Sequence, residues 1–103
     1  LSKGIFMIGV IANLKIKSGK EKQFEEIAKK LVDEVNSEEE NNIFYRLYKK
    51  SELLYTFMEG YKDKESLEYH TTTRHYKENG KAMAEFLDGR PEVEVMNEIA
   101  PNK

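Results

Sequence analysis

Six apolar side chains recur at every second position across residues 6–16: Phe6, Ile8, Val10, Ala12, Leu14 and Ile16. That spacing puts all six on one face of a long strand, which a second layer must cover. The other face carries Met7, Gly9 and Ile11, then Asn13, Lys15 and Lys17, so it starts apolar and ends wet. The next segment supplies the layer. Ser18-Gly19-Lys20-Glu21 has the form of a capping box, with Ser18 accepting from the Glu21 amide and Glu21 reaching back. Beyond it Phe24, Ile27, Ala28, Leu31, Val32 and Val35 form a helical stripe. Residues 36–42, with Ser37-Glu38-Glu39-Glu40, read as a loop or frayed end whose charges are solvated.

Residues 43–49 read as a second strand, in which Ile43, Tyr45 and Leu47 alternate with Phe44, Arg46 and Tyr48. Lys50-Ser51-Glu52 turns the chain into a third strand over residues 53–61, and so short a link implies a hairpin. Asp63 caps a short helix with Glu65 in its first turn, where a carboxylate meets the helix dipole favourably. Leu67 and His70 fall on one side of that helix. Thr71-Thr72-Thr73 offers a new N-cap, so a further helix is expected from near Arg74. It carries Tyr76, Met83, Phe86 and Leu87 and is ended by Gly89-Arg90-Pro91. Gly80 lies inside it, at a cost of about 1 kcal/mol against Ala. Val93, Val95, Asn97 and Ile99 alternate with Glu92, Glu94, Met96 and Glu98 as a last strand. The order β-α-β-β-α-β is the α+β, ferredoxin-like arrangement, with helices on one face of an antiparallel sheet.

Composition narrows the function classes. The 103 residues make one domain, with residues 1–6, ahead of Met7, an extension that is native or a remnant of cloning. Seventeen basic against nineteen acidic residues leave a net charge of −2, which argues against nucleic acid or an anionic membrane as partner. The absence of Cys excludes disulfides, thiolate metal sites and thiol catalysis. No apolar run approaches the ~20 residues of a membrane span, and no signal-peptide pattern opens the chain, so a cytoplasmic location is expected. No Ser-His-Asp pattern with a strand-to-helix elbow and no Gly-rich phosphate loop appears.

The strands do not alternate cleanly. Met7 and Ile11 lie opposite the apolar face of the first strand, Phe44 and Tyr48 oppose Tyr45 and Leu47, and Leu54 and Met58 oppose Tyr55, Phe57 and Tyr61. A sheet apolar on both faces is expected to close against a second copy, forming a homodimer through the face without helices.

Tyr55-Thr56-Phe57-Met58-Glu59-Gly60-Tyr61-Lys62-Asp63, then Leu67-Glu68-Tyr69-His70 and Thr73-Arg74-His75-Tyr76, resembles the antibiotic biosynthesis monooxygenase (ABM) domain family. The likeness covers about residues 7–99. It implies a dimeric α+β barrel made by two sheets, with a pocket in each subunit between the sheet and the second-half helices. Known members include cofactor-independent oxygenases of anthrone- and quinol-type aromatics, haem-degrading proteins, and an enzyme that processes a phosphorylated autoinducer-2. Residues 70–76 are similar to the last of these and to quinol-type members. The haem-degrading members use a pocket Asn, a Trp and an axial His. This sequence has Ala12 and Gly80 at the corresponding Asn and His positions and no Trp, so haem degradation is disfavoured.

Within that resemblance His70 is the candidate catalytic residue, a base or a hydrogen-bond partner for a phenol or carbonyl. Its alternative is a helix-end His bonded to Glu59 or a backbone carbonyl. His75, five residues on, falls ~140° away on a straight helix and shares a face with His70 only if the Thr run breaks it. Two His without a third well-spaced ligand make no metal site, and no cofactor is expected. Glu59, among apolar strand residues, needs Arg46 or a His as partner or stays protonated; it is an acid-base group or a structural ion pair. Tyr45, Tyr55, Tyr61 and Tyr76 line an aromatic pocket or fill the core, Met83 packs helix to sheet beside the substrate, and Asn13 and Asn97 meet a substrate oxygen or water. The expected function is a cofactor-independent monooxygenase of a small electron-rich aromatic, binding substrate through Tyr45, Tyr55, Glu59, Tyr61, His75, Tyr76 and Met83. The alternatives are an isomerase or processing enzyme for a small phosphorylated dicarbonyl, served by Arg46, Arg74 or Arg90, and a non-catalytic small-molecule-binding dimer.

Overall fold

The computed structural model describes residues 7–100; the extension read in residues 1–6 lies outside them. The elements are β1 (Ile8–Lys15), α1 (Glu21–Glu38), β2 (Asn42–Ser51), β3 (Leu54–Tyr61), α2 (Lys64–Thr72), α3 (Arg74–Ala84) and β4 (Glu92–Asn97). The sheet order is β2-β3-β1-β4, and every pairing is antiparallel. This is the expected ferredoxin-like arrangement, with the second helix divided at Thr73. The strand that constrained the sequence most, β1, lies inside the sheet between β3 and β4. Its pairing sets Val10 beside Glu59 and Val95, and Ala12 beside Phe57 and Val93.

The helices cover the face that carries Ile8, Val10, Ala12 and Leu14. Under α1 that face is close-packed: Ile16, Phe24, Ala28 and Val35 are fully buried, and the Phe24 and Tyr55 rings meet at 4.8 Å. The helices do not reach over β4, where Val93 and Val95 remain 57% and 58% exposed. On the opposite face Met58, Tyr48 and Met96 are exposed. A Cβ at Gly60 would run into the Phe44 ring, so glycine there lets that ring lie across the strand.

Four local expectations are corrected. The capping box does not form: Lys20 is the N-cap of α1 and no side chain caps it. Gly19, at φ 85°, makes a turn after Ser18 and moves the helix start past it. Residues 36–42 are not a solvated end, since α1 runs to Glu38 and Glu39 is 6% exposed. α3 stops at Ala84, short of Phe86 and Leu87, because the chain pairs with the end of β1. Lys17 N–H donates to Phe86 O at 2.8 Å and Asp88 N–H to Lys15 O at 2.7 Å. Ile43 sits in a bulge of β2 and is exposed, out of line with Tyr45 and Leu47.

Candidate functional site

A cavity of about 540 Å³ opens between the β1–β4 half of the covered face and helices α2 and α3. Tyr45, Phe57, Tyr76 and Met83 give it aromatic and apolar walls, and Glu59 and His70 are its buried ionisable groups. Gly80 also lines it, and a Cβ there would meet nothing within 4 Å, so the helix glycine adds to the open volume.

His70 is placed by two caps. At the start of α2, Asp63 accepts from the Ser66 amide at 2.8 Å and the Ser66 hydroxyl at 2.6 Å, which holds its carboxyl below the usual range. At the end, Thr73 Oγ1 donates to His70 O at 2.8 Å while accepting from the Tyr76 amide at 3.2 Å. Thr73 is extended, with φ −72° and ψ 153°, and this breaks the helix that would have sent His75 to another face. Both His rings therefore converge on one carboxylate. Glu39 Oε2 lies 2.7 Å from His70 Nδ1 and 2.6 Å from His75 Nε2. Burial raises the Glu39 pKa, but the hydrogen bonds from His70 and His75 outweigh it and hold the carboxyl below its ordinary value. A carboxylate that accepts at Nδ1 fixes a proton there and orients the ring, leaving Nε2 as the nitrogen free to exchange one. Tyr45, Tyr61 and Tyr76 surround the His70 ring at centroid distances of 5.2, 5.4 and 4.8 Å.

Glu39 was missed in the sequence, although a signal existed. Ala28, Leu31, Val35 and Glu39 follow one another at steps of three and four, so Glu39 continues the buried stripe of α1. It also supplies the third group that the two His lacked: Glu39, His70 and His75 offer ligand atoms within 4.8 Å of one another. Their separations of 2.6 and 2.7 Å are hydrogen-bond lengths. Donors about 2.0–2.1 Å from a tetrahedral ion stand roughly 3.3 Å apart. The other carboxylate oxygen, Glu39 Oε1, is buried without a partner.

The remaining candidates divide. Glu59 faces the cavity and accepts from Tyr61 Oη at 2.7 Å; its partner is neither a His nor Arg46, which lies over the Phe44 ring. Burial pushes the Glu59 pKa up, against the lowering by Tyr61 and His70. Tyr45, Tyr76 and Met83 line the cavity as expected. Tyr61 and His75 stand behind it, against His70 and Glu39. Tyr55 is elsewhere: its ring packs on Phe24 and its hydroxyl donates to Glu25, because Tyr55 pairs with Leu14 at the α1 end of the sheet. Asn13 accepts from Thr56 Oγ1 at 2.6 Å on the face away from the helices, and Asn97 is exposed on β4.

Residues 7–81 match the model of the family described as antibiotic biosynthesis monooxygenase. The chain belongs to that family. A Caulobacter crescentus protein provisionally named an antibiotic biosynthesis monooxygenase is 31% identical, covering 93% of this chain and 92% of its own, with a TM-score of 0.86. A conserved protein from Methanosarcina mazei is 29% identical, covering 90% and 93%, with a TM-score of 0.84. A Nitrosomonas europaea protein with the same provisional name covers 100% and 99% at a TM-score of 0.88, but at 17% identity it shows the fold alone. No curated protein matches the chain. No helix among the described residues is long and apolar enough to cross a membrane.

Proposed function

We propose that this ABM-family chain is a cofactor-independent monooxygenase of a small, flat, electron-rich aromatic of quinol type. The observation that carries the reading is His70, at the wall of an aromatic cavity, with Nδ1 held by the buried carboxylate of Glu39. In this chemistry the deprotonated substrate itself gives electrons to dioxygen. The protein binds the ring away from water, removes a proton and supports the resulting negative charge. His70 Nε2 takes the substrate proton, and Glu39 steadies the imidazolium that forms. Tyr45, Phe57, Tyr76 and Met83 provide the walls for the ring.

The phosphorylated-dicarbonyl reading asks for a cationic group beside the pocket; Lys77 and Lys81 of α3 line the cavity, but the arginines offered for that role do not. Arg74 instead stands 3.6 Å from Glu78 at the surface, and neither Arg74 nor Arg90 lines the cavity. The test is oxygen uptake with a panel of quinols. Wild type consumes oxygen with at least one quinol, and His70→Ala loses about 100-fold or more of that rate. Equal rates in both proteins, or none in either, would sink the reading.

We further propose a homodimer closed through the face that exposes Met58, Tyr48 and Met96. Burying such a patch at about 25 cal/mol per Å² contributes several kcal/mol. Light scattering should give twice the chain mass, and Met58→Lys should shift it towards one.

A further inference from the structure

Glu59 lies in the cavity wall with Tyr61 two residues along its own strand and Tyr45 directly opposite on β2. Tyr61 Oη donates to Oε1 at 2.7 Å. Oε2 has no hydrogen-bond partner among the described residues, and the buried Glu59 side chain lines the cavity. The oxygen that Tyr61 leaves free is the one available to a molecule in the cavity. No Lys or Arg among the described residues forms an ion pair with Glu59. A buried carboxyl without a cation goes to its neutral form. The groups around it act in both directions: the Tyr61 hydrogen bond and His70 favour ionisation, while burial and the Glu39 charge oppose it, and the net effect is upward. In the neutral form, with Oε1 accepting from Tyr61, Oε2 would carry the proton and make the group a donor.

We propose that Glu59 is a second catalytic residue, a neutral acid whose Oε2–H donates a hydrogen bond to a substrate oxygen while His70 acts as base. The proposal rests on the deprotonation reading above. As His70 Nε2 takes the substrate's proton, the electron pair left behind moves into the ring and onto its oxygen. The Glu59 hydrogen bond strengthens as that charge grows. The acid keeps its proton, so no bond within Glu59 breaks. The substrate this suits carries an acidic proton at one position and a conjugated carbonyl or hydroxyl oxygen at another.

Infrared spectroscopy of the whole chain at pH 7 tests it without relying on turnover. The wild type minus Glu59→Gln difference should contain a protonated-carboxyl band that shifts in heavy water. Filling the cavity with 1-tetralone, a flat aromatic ketone, should lower that band and the ketone's own carbonyl band together. No such band at pH 7, or a band that 1-tetralone leaves unmoved, overturns the proposal. Oxygen uptake adds a second arm. Gln keeps a donor of the same size, so Glu59→Gln should retain quinol turnover within several-fold, and Glu59→Leu should lose about 100-fold in kcat. Loss in Glu59→Gln as deep as in Glu59→Leu also overturns it, since a carboxylate would then be what the reaction needs. Bands that move in a protein that consumes no oxygen keep the donor and remove the monooxygenase reading.

Discussion

The two halves of the helix-covered sheet face are built from the same strands and finished differently. Under α1, Phe24, Ala28 and Val35 are fully buried and pack in one cluster with Ile16 and Tyr55. Under α2 and α3 the inward positions are His70, His75, Asn79 and Met83, and a cavity remains. Asn79 joins the halves, donating at 2.7 Å both to Glu34 on α1 and to His75 O. The filled half gives the domain its stability, and the hollow half spends part of that stability on buried ionisable groups.

Truncations on the two sides should separate these roles most sharply. Phe24→Ala should destabilise by about 3–5 kcal/mol, since neighbours on every side lose contacts. Met83→Ala, which already borders open space, should cost about 2 kcal/mol. Urea unfolding measures both, and equal losses would erase the distinction.

The two buried carboxyls sharpen it next. The Glu39 pKa is lowered in the folded chain. Its stabilisation is complete above the ordinary value of about 4.3 and is lost as pH falls through the lowered folded value. The Glu59 pKa is raised. Its contribution is complete below that ordinary value and is lost as pH rises through the raised one. Urea midpoints against pH should therefore drop at the acid end in wild type and flatten there in Glu39→Gln. Glu59→Gln should flatten the decline on the other side. Glu39→Gln should also cost about 1–3 kcal/mol at neutral pH, because its amide oxygen replaces Oε2 but its NH2 is left buried without a partner in the place of Oε1.

The smallest effect is expected at Gly80. Gly80→Ala should add about 1 kcal/mol of stability through helix propensity. Gly80→Phe should fold and yet lose quinol binding by filling the hollow half. Calorimetry would show whether affinity falls while the melting temperature holds.

Much of the fold was legible because its signals are local. Period two in β1, the Asp63 and Thr73 caps and the stripe of α1 each depend on residues a few positions apart. The capping box at Ser18 failed because Gly19 in a left-handed turn competes for the same residues. The end of α3 failed because Leu87 answers to Ile16, a partner far away in sequence. In the site, His70, Tyr45, Tyr76, Met83 and Glu59 were found as candidates. Tyr55 was misplaced because strand alternation names a face without naming which half of the sheet lies over it.

Glu39 marks the boundary. By itself the sequence determined the strand and helix periods, the order β-α-β-β-α-β, and the His70 and His75 side chains available for chemistry. Tertiary structure alone decided that a glutamate in an acidic run would be buried and would join two His from helices meeting at Thr73. The physical reason is that periodicity fixes the direction of a side chain relative to its own element. Burial and hydrogen bonding are fixed by what another element places there, and His70 and His75 lie 31 and 36 residues from Glu39.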